Sequence, residues 1–263
     1  MTSTPSCIRQ QRRGDVLWLQ IDRPERRNAL SHAALGEIGA TFERFAADET
    51  LKAVVIRGVG EEAFAAGGDL KELASLRSAE QVGAFFDHAS RALDQVRAFP
   101  VPVVAALNGT ALGGGAELAM ACDFRIAAPH AAIGYVQARL GICCGFGGGA
   151  DLARRFGAAG ALRLGLEATP LSAQDARSAG LVDEVAADGE LLEDCVERVL
   201  ALLLRHPPQV LRAYKAIALA ERLGLPADQR RAIEREWFTR TWIHPDHWTA
   251  VDAMTRKRSE TPR

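Results

Sequence analysis

No stretch of this 263-residue chain is apolar for long enough to cross a bilayer. The longest run toward the C-terminal half, Val199 to Leu204, ends at Arg205, far short of the roughly 20 residues that a span needs. The N-terminal region lacks the apolar core of a signal peptide, since Arg9 to Asp15 is polar, and the expectation is a cytoplasmic protein without a membrane partner. An excess of either charge is also missing. Lys and Arg number 32 against 33 Asp and Glu, so no overall field draws the chain to nucleic acid. The cysteines (Cys7, Cys122, Cys143, Cys144, Cys195) are odd in number and show no C-x-x-C spacing, which argues against a disulfide framework and against a zinc site. Cys143-Cys144 has no neighbouring His in sequence to generate a thiolate.

What is present is an alternation of short apolar runs with helix-like stretches. Val16 to Ile21, Ala53 to Arg57, Val101 to Ala106 and Phe124 to Ala127 read as strands, and His32 to Ala47, Ala79 to Arg97 and Leu118 to Cys122 as helices; the fold class is α/β. Beyond about residue 150 the pattern is helical almost throughout, with Leu181 to Val185 the one strand-like run. Val210, Leu211, Tyr214 and Ile217 recur at helical spacing and predict one buried stripe. This gives an α/β core over 1–200 and a helical region over 201–263.

Two segments at strand-to-helix junctions carry unusual residues. One is Ala63-Phe64-Ala65-Ala66-Gly67-Gly68-Asp69-Leu70-Lys71; the other runs from Asn108 through Gly113-Gly114-Gly115 to Glu117-Leu118. Glycine lets backbone approach a ligand closely, and the first N–H groups of a helix lack an intrahelical partner. Two such N–H donors converging on one oxygen make an oxyanion hole, each donor contributing about 3 kcal/mol to a transition state. Gly145-Phe146-Gly147-Gly148-Gly149-Ala150 fits the loose G-x-G-x-x-G/A form of a dinucleotide loop. It sits late in the chain, no hydrophobic strand cleanly precedes it, and no acidic residue closes a compact βαβ unit. His244 and His247 form an i, i+3 pair with no third metal ligand evident.

The combination resembles the crotonase, or enoyl-CoA hydratase/isomerase, superfamily. The likeness runs from Ile21-Asp22-Arg23-Pro24 and Asn28-Ala29-Leu30, through both glycine segments, to Ala121-Cys122-Asp123-Phe124-Arg125-Ile126-Ala127, then Ala173 to Val185, and more weakly to Lys257-Arg258. It implies a spiral of ββα units with a C-terminal helical trimerisation region, a homotrimer or dimer of trimers, an acyl-CoA substrate, and no cofactor beyond the coenzyme A that the substrate carries. Carried over residue by residue, the backbone N–H groups of Gly68 and Gly114 form the oxyanion hole. Gly68, Asp69, Leu70 and Lys71 line the coenzyme A site, and Arg26 to Ala29, with Arg27 and Ala29 foremost, border it. The aromatic residues Phe238, Trp242 and Trp248 fall on a C-terminal helix, where such spacing marks core or subunit interface; the resemblance also implies that this region can border the adenine of a neighbouring subunit's ligand.

Family hydratases use two glutamates on one water. The first matches Glu117; the second position falls on Gln137, whose amide orients a water or a carboxylate but moves no proton near neutral pH. A single acid suits decarboxylation of a malonyl-type thioester, which forms the enolate directly and needs one proton afterwards. Gly141-Ile142 with Phe146-Gly147-Gly148, Pro207 to Ala213, and Thr241-Trp242 are similar to ethylmalonyl-CoA decarboxylases. Hydration or dehydration, decarboxylation, and acyl-CoA binding without turnover all stay open at this point. Tyr135, Gln137 and Arg139 are expected near the acyl pocket, with Arg139 a candidate partner for a substrate carboxylate.

Overall fold

The computed structural model describes residues 6–259. The chain opens with a hairpin of β1 (Ile8–Arg13) and β2 (Val16–Ile21), followed by α1 (His32–Phe45), and then repeats one kind of turn. In the first, β3 (Ala53–Gly58) leads to β4 (Ala63–Ala65) and to helices α2 (Leu70–Leu73) and α3 (Ala79–Ala98). In the second, β5 (Val103–Leu107) and β6 (Thr110–Leu112) lead to α4 (Gly114–Ala121); in the third, β7 (Phe124–Ala127) and β8 (Ala132–Gly134) lead to α5 (Gly149–Glu167). The remainder is β9 (Leu171–Ser172), α6 (Ala173–Ser178), β10 (Glu184–Val185), α7 (Leu192–Leu204), α8 (Pro208–Arg222), α9 (Ala227–Trp242) and α10 (Pro245–Ser259).

Each turn gives its first strand to one sheet and its second to another. The larger sheet has the order β1-β2-β3-β5-β7-β10 and the smaller β4-β6-β8-β9. The pairings β3–β5–β7 and β4–β6–β8 are parallel, so the chain winds as a spiral of ββα units. Parallel strands covered on both faces carry apolar residues on both, and every residue of β5 is buried. Leu17, Leu19, Val54 and Ile56 face the main core against α1 and α3, while Val16, Trp18, Val55 and Val104 face a second cluster with Cys195, Val196 and Leu200 of α7.

Two buried asparagines fasten the connection between β3 and β4. The Asn108 side chain accepts from the Gly58 amide (2.8 Å) and donates to the carbonyls of Gly60 (2.8 Å) and Ala63 (3.1 Å). Asn28 donates to Ala63 as well (2.7 Å). Asn108→Ala strands an amide donor and removes two donations to carbonyls, so chemical denaturation is expected to show a loss of about 2 kcal/mol or more.

The helical C-terminal part corrects one sequence expectation. Of the Val210, Leu211, Tyr214 and Ile217 stripe, only Leu211 is buried; Tyr214 is 71% exposed. The core-facing side of α8 also carries Lys215, whose ammonium meets Asp123 at 2.5 Å. Val210, Tyr214 and Ile217 instead line an open cleft with Trp237, Phe238 and Trp242 of α9. His247 lies tilted against Trp242, ring centroids 4.6 Å apart. The side chains of Lys257 and Arg258 lie outside the described residues, and no helix among the described residues is long and apolar enough to cross a membrane.

Candidate active site

Both glycine segments place a glycine of positive φ directly before the glycine singled out in the sequence. Gly67 has φ 109° and Gly113 φ 53°, a region that side chains rarely adopt. The first segment is fixed when the Leu30 amide donates to the Gly67 carbonyl (2.8 Å) and the Asp69 amide to the Leu30 carbonyl (3.2 Å). The second is fixed by the Gly113 amide on the Gly134 carbonyl (2.9 Å). Gly114 then opens α4, where the first N–H groups have no partner in the helix. The segments abut: a Cβ on Gly115 would lie 2.0 Å from the Ala65 carbonyl oxygen, and one on Gly67 would lie 3.8 Å from the Gly114 nitrogen.

Glu117 lies on the first turn of α4 and is 1% exposed. Its Oε1 accepts from Gln137 Nε2 (2.8 Å) and the Gly145 amide (3.1 Å), and its Oε2 from the amides of Phe146 (2.9 Å) and Gly148 (2.7 Å). Those four donors fill the lone-pair directions of a carboxylate. Burial pushes the Glu117 carboxyl up, with the loop amides and Gln137 acting in the opposite direction. The glycine-rich segment that fits a dinucleotide pattern is thus a cradle for the protein's own carboxylate.

Gln137 begins the 3₁₀ turn Gln137–Leu140 after β8. Its amide nitrogen must face Glu117, which only accepts, so Oε1 points elsewhere; that buried oxygen has no partner, and neither has the Tyr135 hydroxyl. The cradle is braced from behind. Arg97 donates to the Gly147 carbonyl (3.2 Å) and to Asp151 (2.8 Å), and Arg222 holds the other Asp151 oxygen (2.9 Å).

Phe146 also closes the space in front of the two glycines. A Cβ built on Gly114 would lie 2.4 Å from its ring and one on Gly68 would lie 3.5 Å away. Sequence reasoning missed Phe146, the three cradling amides and the Arg97–Asp151–Arg222 brace. The signals available were the glycine density of 145–149, weighed as a dinucleotide loop, and the likeness of Phe146-Gly147-Gly148 to ethylmalonyl-CoA decarboxylases, neither of which points to a carboxylate cradle.

The structure brings Gly68, Gly114, Glu117 and Gln137 together, and the remaining sequence candidates sit around them. Asp69 caps α2 by accepting from the Lys71 amide and pairs with Arg23 at 2.8 Å, which holds its carboxyl below the usual range. Its side chain is therefore directed into the protein framework. Leu70 and Lys71 are exposed beside Gly68. Arg27, itself exposed, reaches Thr110 of the second segment (3.2 Å), and its carbonyl accepts from the Ala66 amide (3.0 Å). The Ala29 carbonyl accepts from Arg23. Tyr135 is buried, whereas Arg139 is exposed.

A spiral of ββα turns that converges two glycine corners on a buried carboxylate has known counterparts. Residues 11–260 match the family model described as enoyl-CoA hydratase/isomerase. An enoyl-CoA isomerase/hydratase of Mycosarcoma maydis is 36% identical over 92% of this chain and 90% of its own length. The 2,3-dehydroadipyl-CoA hydratase of Escherichia coli is 35% identical over 95% of both chains. The crystal structure of an enoyl-CoA hydratase from Bacillus anthracis superposes with a TM-score of 0.88 at 31% identity, covering 95% of this chain and 96% of the other. The chain belongs to the enoyl-CoA hydratase/isomerase family of the crotonase superfamily, enzymes that act on acyl-CoA thioesters.

Proposed function

We propose that this enzyme is an acyl-CoA lyase that adds water to, or removes it from, a 2-enoyl thioester, with Glu117 the one proton-transferring side chain. The thioester oxygen lies between the N–H groups of Gly68 and Gly114, where enolate charge is stabilised as it develops. Water attacks Cβ as Glu117 takes its proton, and Glu117 returns that proton to Cα, so a single carboxylate closes the cycle. The observation that carries this reading is the buried, unpartnered Gln137 Oε1 next to Glu117. It is an acceptor suited to the second hydrogen of the attacking water, which Gln137 positions without exchanging protons with it. Exposed Arg27 and Lys71 border the opening and suit the phosphates of coenzyme A.

One observation favours a second reading, decarboxylation of a malonyl-type thioester. The second family position is Gln137, which leaves one carboxylate, and loss of CO2 forms the enolate without prior proton transfer and needs a single proton afterwards. Mass spectrometry of crotonyl-, methylmalonyl- and ethylmalonyl-CoA after incubation with the enzyme separates the two. Gain of water on the enoyl ester supports the first reading, loss of CO2 supports the second, and no change in any ester opposes both.

Glu117 must be ionised to accept a proton, and its burial favours the neutral form. The acid limb of kcat/KM is therefore expected to fall at a pH above the ordinary glutamate value of 4.5. Its contribution to stability has the opposite trend: full below the unfolded-state pKa, and lost as pH rises through the raised folded-state value. A limb at or below the ordinary value contradicts the assignment. The aromatic cleft of α8, α9 and α10 is the surface on which we place trimer contacts; sedimentation as a monomer contradicts that placement.

A further inference from the structure

Beyond the two glycines stands an aromatic wall. The Phe146 ring lies against Gly114 and Gly68 and is itself 4% exposed. It packs edge-on against Phe85 of α3, centroids 5.7 Å apart. On the other side Leu73 of α2 comes within 2.7 Å of a Cβ placed on Gly68. Phe85 and Leu73 in turn line a solvent-open cavity of about 300 Å³ together with the exposed His32, Glu72, Ser75 and Gln81. The order in space is glycine pair, then Phe146 with Leu73 and Phe85, then a cavity large enough for several methylenes that is open to solvent on its far side.

We propose that Phe146, backed by Phe85 and Leu73, ends the acyl pocket and determines chain length: the enzyme takes short acyl groups, and shrinking the wall admits longer ones into the cavity behind it. The inference rests on the thioester lying at Gly68 and Gly114, but not on which reaction follows. An apolar wall discriminates by excluded volume, and each methylene gained or refused in such a pocket changes affinity by about tenfold or more. The Phe146 backbone is held by its amide on Glu117 (2.9 Å), and its buried ring is restrained by packing on Phe85.

The test uses saturated thioesters, which have neither double bond nor second carboxylate. Butyryl-CoA and octanoyl-CoA are titrated calorimetrically into the wild-type enzyme, Phe146→Ala and Phe85→Ala. Wild type is expected to prefer butyryl-CoA by about tenfold or more, and each variant to narrow or reverse that ratio. Phe85→Ala guards against misfolding of the first variant, since its half-buried ring makes no bond to the Glu117 cradle. Equal affinity of the wild type for both esters overturns the proposal, as does an unchanged ratio in both variants. Failure of both esters to bind overturns it together with the thioester site. A shifted ratio with no turnover of any enoyl or malonyl ester leaves the wall standing and removes the proposed reaction instead.

Discussion

Glutamine in place of Glu117 is expected to lower turnover by about 10²–10⁴-fold, the usual worth of a positioned acid–base group, while coenzyme A thioesters still bind. The substitution also disturbs the cradle. Every neighbour of the carboxylate is a donor, so the new amide nitrogen faces N–H groups at one of its two positions. Unsatisfied donors in a buried site cost about 1–3 kcal/mol, and a lower melting temperature should accompany the loss of rate. Glu117→Asp keeps the charge but shortens the reach, and is expected to recover stability more than activity. Turnover by Glu117→Gln at the wild-type rate removes the residue from the mechanism.

Gly114→Ala is expected to reduce kcat/KM by about 10²–10³-fold, comparable with loss of one oxyanion donor. Gly114 does not have the positive φ of Gly113, so alanine is compatible with its backbone and the obstacle is steric. The new methyl would sit 2.4 Å from the Phe146 ring, displacing either the ring, and with it the amide on Glu117, or the start of α4. Overpacking of this kind costs roughly 1–3 kcal/mol. The Gly114→Ala/Phe146→Ala double variant separates the two effects. Partial recovery of activity relative to Gly114→Ala assigns the defect to the ring, and no recovery assigns it to the N–H position itself.

Much of the large sheet is legible in the sequence because its strands are buried on both faces and read as continuous apolar runs. Val16–Ile21 and Phe124–Ala127 have the same limits in sequence and structure. The edge strand β1 is not legible: Arg9 to Arg12 are exposed, and the segment reads as a polar stretch. Strands β4, β6 and β8 are three residues each, too short for a period to register. The apolar residues of α8 are visible in sequence, but not that two of its sides are apolar and that Tyr214 belongs to the outer one.

The site divides in the same way. Gly68, Gly114, Glu117 and Gln137 follow from local motifs and a family likeness. The cradle depends on contacts across 28 to 31 residues, and the Arg97–Asp151–Arg222 brace across 54 and 71. No spacing rule relates residues so far apart. Glycine repeats at 145–149 are equally compatible with holding a phosphate and with holding a carboxylate of the same chain, and the deciding group, Glu117, enters from another turn of the spiral.

In the proposed mechanism one carboxylate, set beside two backbone N–H groups, moves a proton at Cα of an acyl thioester. Butyryl-CoA in deuterium oxide tests this most directly, because NMR follows exchange at Cα with no water addition and no CO2 loss involved. Exchange by the wild-type enzyme that is lost in Glu117→Gln and survives in Gln137→Ala is the predicted result. Tight binding of butyryl-CoA with no exchange, or exchange that persists without Glu117, would contradict it.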